Sequence, residues 1–103
     1  MPNPTGYPFA PIGVAPQSWA APATAWDVRD YSDVEVQFVS TPGTAYQPQR
    51  SLDGTNYVNT LAFDQSGASY STITTAGIYS FAGSGYLKFS AGSGSTLTRR
   101  AAA

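Results

Sequence analysis

The chain of 103 residues has no cysteine and no histidine. Without thiols there is no disulfide, no thiolate nucleophile and no zinc-thiolate site, and folding does not depend on an oxidising compartment. Without imidazole the usual general base, the commonest metal ligand and every Ser-His or Cys-His pairing are missing, so most hydrolase mechanisms lose a required part. Charge is also scarce. Asp, Glu, Lys and Arg make up 11% of the residues, where about 25% is usual. The formal net charge is -1, and the cations Arg29, Arg50, Lys88, Arg99 and Arg100 are scattered apart from the last pair. There is no basic stripe for DNA or RNA to meet, and no nucleic-acid partner is expected. No apolar run approaches the roughly 18 residues that argue for a spanning helix. The N-terminus has neither the charged region nor the continuous apolar stretch of a signal peptide. Neither a membrane partner nor a cofactor is expected.

Such charge as there is begins late. Residues 1–26 carry none, yet hold six of the eight prolines: Pro2, Pro4, Pro8, Pro11, Pro16 and Pro22. Each proline removes an N–H and fixes φ, so this stretch cannot run as a continuous helix or a central strand, and extended or polyproline-like backbone remains. It also carries Tyr7, Phe9, Ile12, Val14, Trp19 and Trp26, too much apolar surface for a conventional solvated tail. The composition predicts an uncharged arm over residues 1–23 and a folded domain over residues 24–103. The arm is expected to lie on a protein surface, that of its own domain or of a neighbouring subunit. Its anchors would be Tyr7, Phe9, Ile12, Trp19 and Trp26, since large aromatic side chains dominate interfaces when they fill pockets. About 77 residues after Trp26 is near the small end for a self-sufficient core, a marginality that oligomerisation or docking would relieve.

From Val34 onward short strands alternate with turn residues, and no stretch keeps a 3.6-residue period, so the fold class expected is all-β. Val34, Val36 and Phe38 alternate with Glu35, Gln37 and Val39, which places the first set on a buried face. Thr41-Pro42-Gly43-Thr44 has the order of a type II turn, with Gly where φ is positive. A return strand is predicted over Ala45–Ser51, at a sheet edge or bulged because Pro48 lacks a ladder donor. Asp53-Gly54 marks a hairpin leading to Tyr57–Phe63. Further strands are predicted over Ala68–Thr74, Ile78–Ala82, Tyr86–Ala91 and Thr96–Arg100, the last as a charged edge strand with Leu97 and Arg99 on one side. With Thr24–Val28 as an opening strand the total is seven or eight, at the turn spacing of a small antiparallel β-sandwich of jelly-roll or Ig-like type. The expected core is Val36, Phe38, Leu61, Phe63, Ile73, Ile78, Phe81, Leu87 and Phe89.

Few side chains suggest chemistry. Asp27, Asp30 and Asp33 stand three apart in one connection, but without the bend glycine or downstream glutamate of an EF-hand they read as solvated turn residues. Asp53 and Asp64 could be imagined as the acid and base of sugar hydrolysis; both sit in turns where Asp is favoured for its own backbone bonding. Gly83-Ser84-Gly85 and Gly92-Ser93-Gly94-Ser95 precede no helix and no suitably placed lysine, which excludes a phosphate loop. Tyr46, Tyr57, Tyr70, Tyr79 and Tyr86 fall on strands and raise a sugar-stacking platform as one reading and core or subunit interface as the other. Arg99 and Arg100 read as a solvated edge or as partners for acidic groups of a neighbour. No catalytic residue and no metal ligand is assigned, and an enzyme is not expected.

The segments Ala25-Trp26-Asp27-Val28-Arg29-Asp30-Tyr31, Gln49-Arg50-Ser51-Leu52-Asp53-Gly54-Thr55-Asn56-Tyr57, Thr75-Ala76-Gly77-Ile78-Tyr79 and Gly85-Tyr86-Leu87-Lys88-Phe89 together resemble small β-sandwich proteins encoded among the structural genes of tailed bacteriophages. The resemblance covers about Ala25 to Arg100 and rests mostly on turn chemistry and strand pattern. It implies a virion protein: a capsid decoration or cement protein, or a module of the tail or head-tail connector. Sugar-binding modules share the architecture, so a glycan-binding module is a further alternative. The implied partner is the major capsid protein or another virion protein, with a symmetric homo-oligomer, a trimer favoured. The absence of a coiled-coil shaft and the presence of the arm favour decoration over a fibre. Fully extended, residues 1–26 could reach roughly 85 Å, enough to cross an adjacent subunit.

Overall fold

The computed structural model describes residues 13–103. Ten strands follow one another: β1 (Gly13–Ser18), β2 (Trp26–Asp27), β3 (Asp33–Phe38), β4 (Pro48–Ser51), β5 (Val58–Asn59), β6 (Ala62–Phe63), β7 (Ser69–Tyr70), β8 (Gly77–Ala82), β9 (Tyr86–Phe89) and β10 (Leu97–Ala102). They form a six-stranded sheet in the order β1-β10-β3-β8-β6-β7 and a four-stranded sheet in the order β2-β9-β4-β5. All pairings are antiparallel. The protein is therefore an all-β sandwich.

The alternation read from the sequence sets the larger sheet. Val34, Val36 and Phe38 are 1%, 0% and 0% exposed, and register carries the inward row across to Phe81 and Tyr79 of β8 and to Ala101 and Leu97 of β10. Trp26, Leu87 and Phe89 fill the gap from the smaller sheet. At the centre the Phe89 ring lies 5.3–5.8 Å from those of Trp19, Phe38, Tyr46 and Phe81, three of the four contacts edge-on, the arrangement aromatic quadrupoles prefer. Tyr46 and Ile73, in connections outside the named strands, exchange backbone hydrogen bonds of 3.0 and 2.9 Å and close one end of the sandwich.

The sheet takes up part of the segment expected to be an arm. Residues 13–18 pair with β10 as the outer strand of the larger sheet, and Trp19, its N–H bonded to the Leu97 carbonyl at 2.9 Å, joins the core. Pro16 is compatible with this because the register shifts between Val14 and Gln17, where no ladder donor is required, and because β1 is an edge. For residues 13–19 the surface underneath is thus the chain's own. The same pairing corrects the expectation for β10, which is flanked by β1 and β3 and is not an edge.

Other expectations are corrected too. β4 lies between β9 and β5; Pro48 is tolerated as its first residue, with its carbonyl accepting from the Thr60 N–H. Leu61 and Phe63 are 45% and 40% exposed, because Ala62 takes the inward position and Phe63, opposite Ser80, faces out: one residue of register changes the face. Ile78 likewise stands half-buried beside the inward Tyr79. The opening strand contracts to Trp26–Asp27 and the Ala68–Thr74 strand to Ser69–Tyr70. Gly43 does not adopt positive φ; its N–H bonds instead to the Ser93 carbonyl at 2.9 Å, so that loop is shaped by the Gly92–Gly94 segment across from it.

Gly92 requires its residue type twice over. Its φ is +128°, and a Cβ there would overlap the Tyr46 ring and approach the Tyr46 Cα to 2.8 Å. Gly92→Ala should therefore lower unfolding stability by about 2–4 kcal/mol through backbone strain and overpacking, read as a shift of the urea midpoint.

Candidate functional site

At the rim where β1 and β10 approach β2, a half-buried cation stands beside the core. Leu97, Arg99 and Ala101 share one face of β10, and Leu97 and Ala101 are 2% and 3% exposed, so Arg99 also points between the sheets. It is received by two indoles. The guanidinium carbon lies 4.9 Å from the centre of the Trp19 ring and 4.7 Å from that of Trp26, whose planes meet at 64° with centres 5.5 Å apart. Local backbone fixes this arrangement: the Trp19 indole N–H donates to the Ala21 carbonyl at 3.1 Å, Thr24 N–H closes a turn onto the same carbonyl, and Phe89 N–H reaches the Pro22 carbonyl. Burial pushes the Arg99 pKa below the usual arginine value. The buried Nε has no hydrogen-bond partner. A cleft lined by Ser18, Thr24, Ala25, Asp27, the two tryptophans and Arg99 opens beside it.

Beside the outward face of the smaller sheet stand two of the five tyrosines considered for a sugar platform, Tyr57 and Tyr86. Each has a cation over its ring: Lys88 Nζ is 4.2 Å from the centre of Tyr57, and the Arg29 guanidinium carbon is 5.3 Å from that of Tyr86. Gln49 Nε2 donates to Asn59 Oδ1 at 3.1 Å beside them. One face of each ring is thereby engaged by a charge of the chain itself. Of the other tyrosines expected on strands, Tyr46, which lies in a connection, and Tyr79 are buried, and Tyr70 donates its hydroxyl to Asp64.

The carboxylates serve the backbone and the cations around them. Asp53 Oδ1 accepts from the N–H groups of Thr55 and Asn56 and from the Ser51 hydroxyl, while Gly54 supplies positive φ in the β4–β5 loop. The Asp-Gly pair does mark a hairpin, but with a longer loop than a two-residue turn. Asp64 accepts from Ser66, Ala68 and Tyr70. Asp27 holds Arg29 through two bonds, and Arg100 reaches Asp33 and Glu35 within the same sheet. Among the described residues no three His, Cys, Asp or Glu side chains gather as a metal site.

These bonds have a consequence for pH. The backbone N–H groups of Asn56 and Thr55 hold the Asp53 carboxyl well below the usual range, and the hydroxyls of Ser66 and Tyr70 lower Asp64 to about 2. Since both are depressed in the folded state, their contribution is present above the unfolded carboxylate value of about 4 and is lost as pH falls toward 2. A protein carrying Asp53→Asn and Asp64→Asn should show a shallower loss of melting temperature between about pH 4 and pH 2 than the unaltered chain.

Of the expected anchors, the structure brings Trp19 and Trp26 together, 5% and 6% exposed, in the chain's own core. Tyr7, Phe9 and Ile12 lie outside the described residues. Sequence reasoning missed Arg99 as a half-buried residue, although its alternation with Leu97 was visible, because β1, which pairs with β10 and leads into Trp19, reads as part of the arm. Comparison of the chain with family models, curated proteins and solved structures found no match.

Proposed function

We propose that the protein is a non-enzymatic structural component of a tailed-phage virion, a decoration protein that sits on the capsid as a homo-oligomer, a trimer, and stabilises the shell by bridging coat subunits. The reading rests on the phage resemblance in the sequence. The observation in the fold that supports it most is the surface. Leu52 and Val58 are 71% and 67% exposed at the β4–β5 end, and Val39, Leu61, Phe63 and Tyr70 are 38–56% exposed elsewhere, on a protein with only 11% charged residues. Interfaces favour such apolar and aromatic groups with charge withdrawn from their centre.

The uncharged residues 1–12, with Tyr7, Phe9 and Ile12, supply the bridging segment. Beginning ahead of β1, they span at most about 40 Å when extended, enough to reach a neighbour though less than an arm running to Trp26 would. Many copies on a lattice then add weak contacts into a large resistance to separation. The test is co-sedimentation of the purified protein with emptied shells of the encoding phage and, in parallel, with its separated tails. Saturable binding to shells is the expected result. Binding to tails alone would assign the sandwich to the tail or connector, and binding to neither would remove the virion reading.

A further inference from the structure

The five cations are not treated alike. Arg29 is matched by Asp27, Arg100 by Asp33 and Glu35, and Lys88 by the Tyr57 ring; Arg50, whose Nε is buried without an acceptor like that of Arg99, donates from Nη2 to the Gly83 carbonyl at 2.8 Å. Arg99 has aromatic faces against it, a buried Nε without an acceptor, and no carboxylate within ion-pair distance among the described residues. Asp27 lines the same cleft but is held in a two-bond fork by Arg29, at 3.0 and 2.7 Å, which leaves Arg99 the unmatched charge there.

We infer that Arg99, held in the angle between Trp19 and Trp26, is a binding site for a carboxylate. Contact with two indoles restricts the guanidinium, which lowers the entropy lost when a planar acceptor is captured. With Nε buried, the two Nη groups are the donors left for a ligand, and a carboxylate matches their parallel N–H bonds. The charge balance selects a monoanion: one unmatched cation stands beside Asp27, whose own charge disfavours a more highly charged ligand. Ser18 and Thr24 offer hydroxyls beside the anion, and Ala25 and the indoles give apolar walls to the group that bears it. The carboxylate can belong to a small acid or to an acidic side chain of a protein. The inference does not depend on the virion reading.

Trp19 and Trp26 are the two tryptophans of the chain, so its indole signals report on this site alone. The experiment titrates the full-length protein, labelled with nitrogen-15, with sodium butyrate and with an acetylated, amidated peptide carrying one glutamate. Sodium chloride at matched ionic strength is the control. The expected result is a saturable movement of the Arg99 Nε–H and both indole N–H resonances with at least one of the two carboxylates, little moved by chloride. Tighter binding of the peptide would place the carboxylate on a protein, and tighter binding of butyrate on a small acid. Arg99→Lys keeps the charge but loses the planar fork, and should weaken binding at least tenfold while its melting transition stays cooperative. The unaltered protein decides the matter even if that variant fails to fold. Resonances that do not move, or that move equally with chloride, would overturn the assignment.

Discussion

Replacing Phe89 with alanine is expected to remove a large part of the protein's stability and to lower its melting temperature more than any outward-facing substitution. Phe89 is 2% exposed, and its ring meets those of Trp19, Phe38, Tyr46 and Phe81, joining the smaller sheet to the larger and both to the segment that follows β1. Truncating a buried phenylalanine costs about 3–5 kcal/mol, the lost transfer energy plus the cavity left behind. A domain of this size has a total stability of roughly 5–15 kcal/mol, and small domains lie toward the lower end. The melting temperature should fall by roughly 15–30 °C. Phe63→Ala, at a 40% exposed position on the outward face, should change it by a small fraction of that. Differential scanning calorimetry on both variants checks the contrast, and equal effects would mean that the inward row has been assigned to the wrong face.

The second large effect concerns where the folded unit begins. Removing residues 1–18 takes away β1, exposes the backbone donors and acceptors of β10, and unseats Val14 from the core edge. An uncovered edge invites pairing with other chains. This truncation should therefore aggregate or lose its cooperative transition. Removing residues 1–12 stops just short of Gly13 and should shift the melting temperature by less than about 3 °C, the equivalent of under 1 kcal/mol. Urea titration and size-exclusion chromatography of the two truncations separate the outcomes. If both fold equally well, β1 is dispensable and the unit begins after it.

Period-two alternation made β3 and β9 legible, because Val34, Val36 and Phe38 or Leu87 and Phe89 can be buried together only in an extended strand. Turn chemistry was legible at Asp53-Gly54 and Asp64, where the side chain's own hydrogen bonds shape the loop. Two things were hidden. Proline density in residues 1–26 outweighed the strand pattern of residues 13–18, since an edge strand with a bulge accommodates Pro16 and a sequence does not announce which strands are edges. That hid the site as well: once β1 is taken for arm, Trp19 reads as an external anchor and Arg99 as a rim charge. Short strands such as Ala62–Phe63 are also weakly specified by local pattern, and the difference between Ala62 inward and Phe63 outward is a single residue of register.

If the protein holds a shell together through its sandwich and residues 1–12, as proposed, its effect is read in the melting temperature of emptied shells of the encoding phage, stripped of the protein and then saturated with the full-length chain or with the chain lacking residues 1–12. A rise with the full-length chain, mostly lost with the truncated one although the truncated sandwich is itself folded, is the predicted result. Shells that melt at the same temperature with and without saturating full-length protein would contradict it.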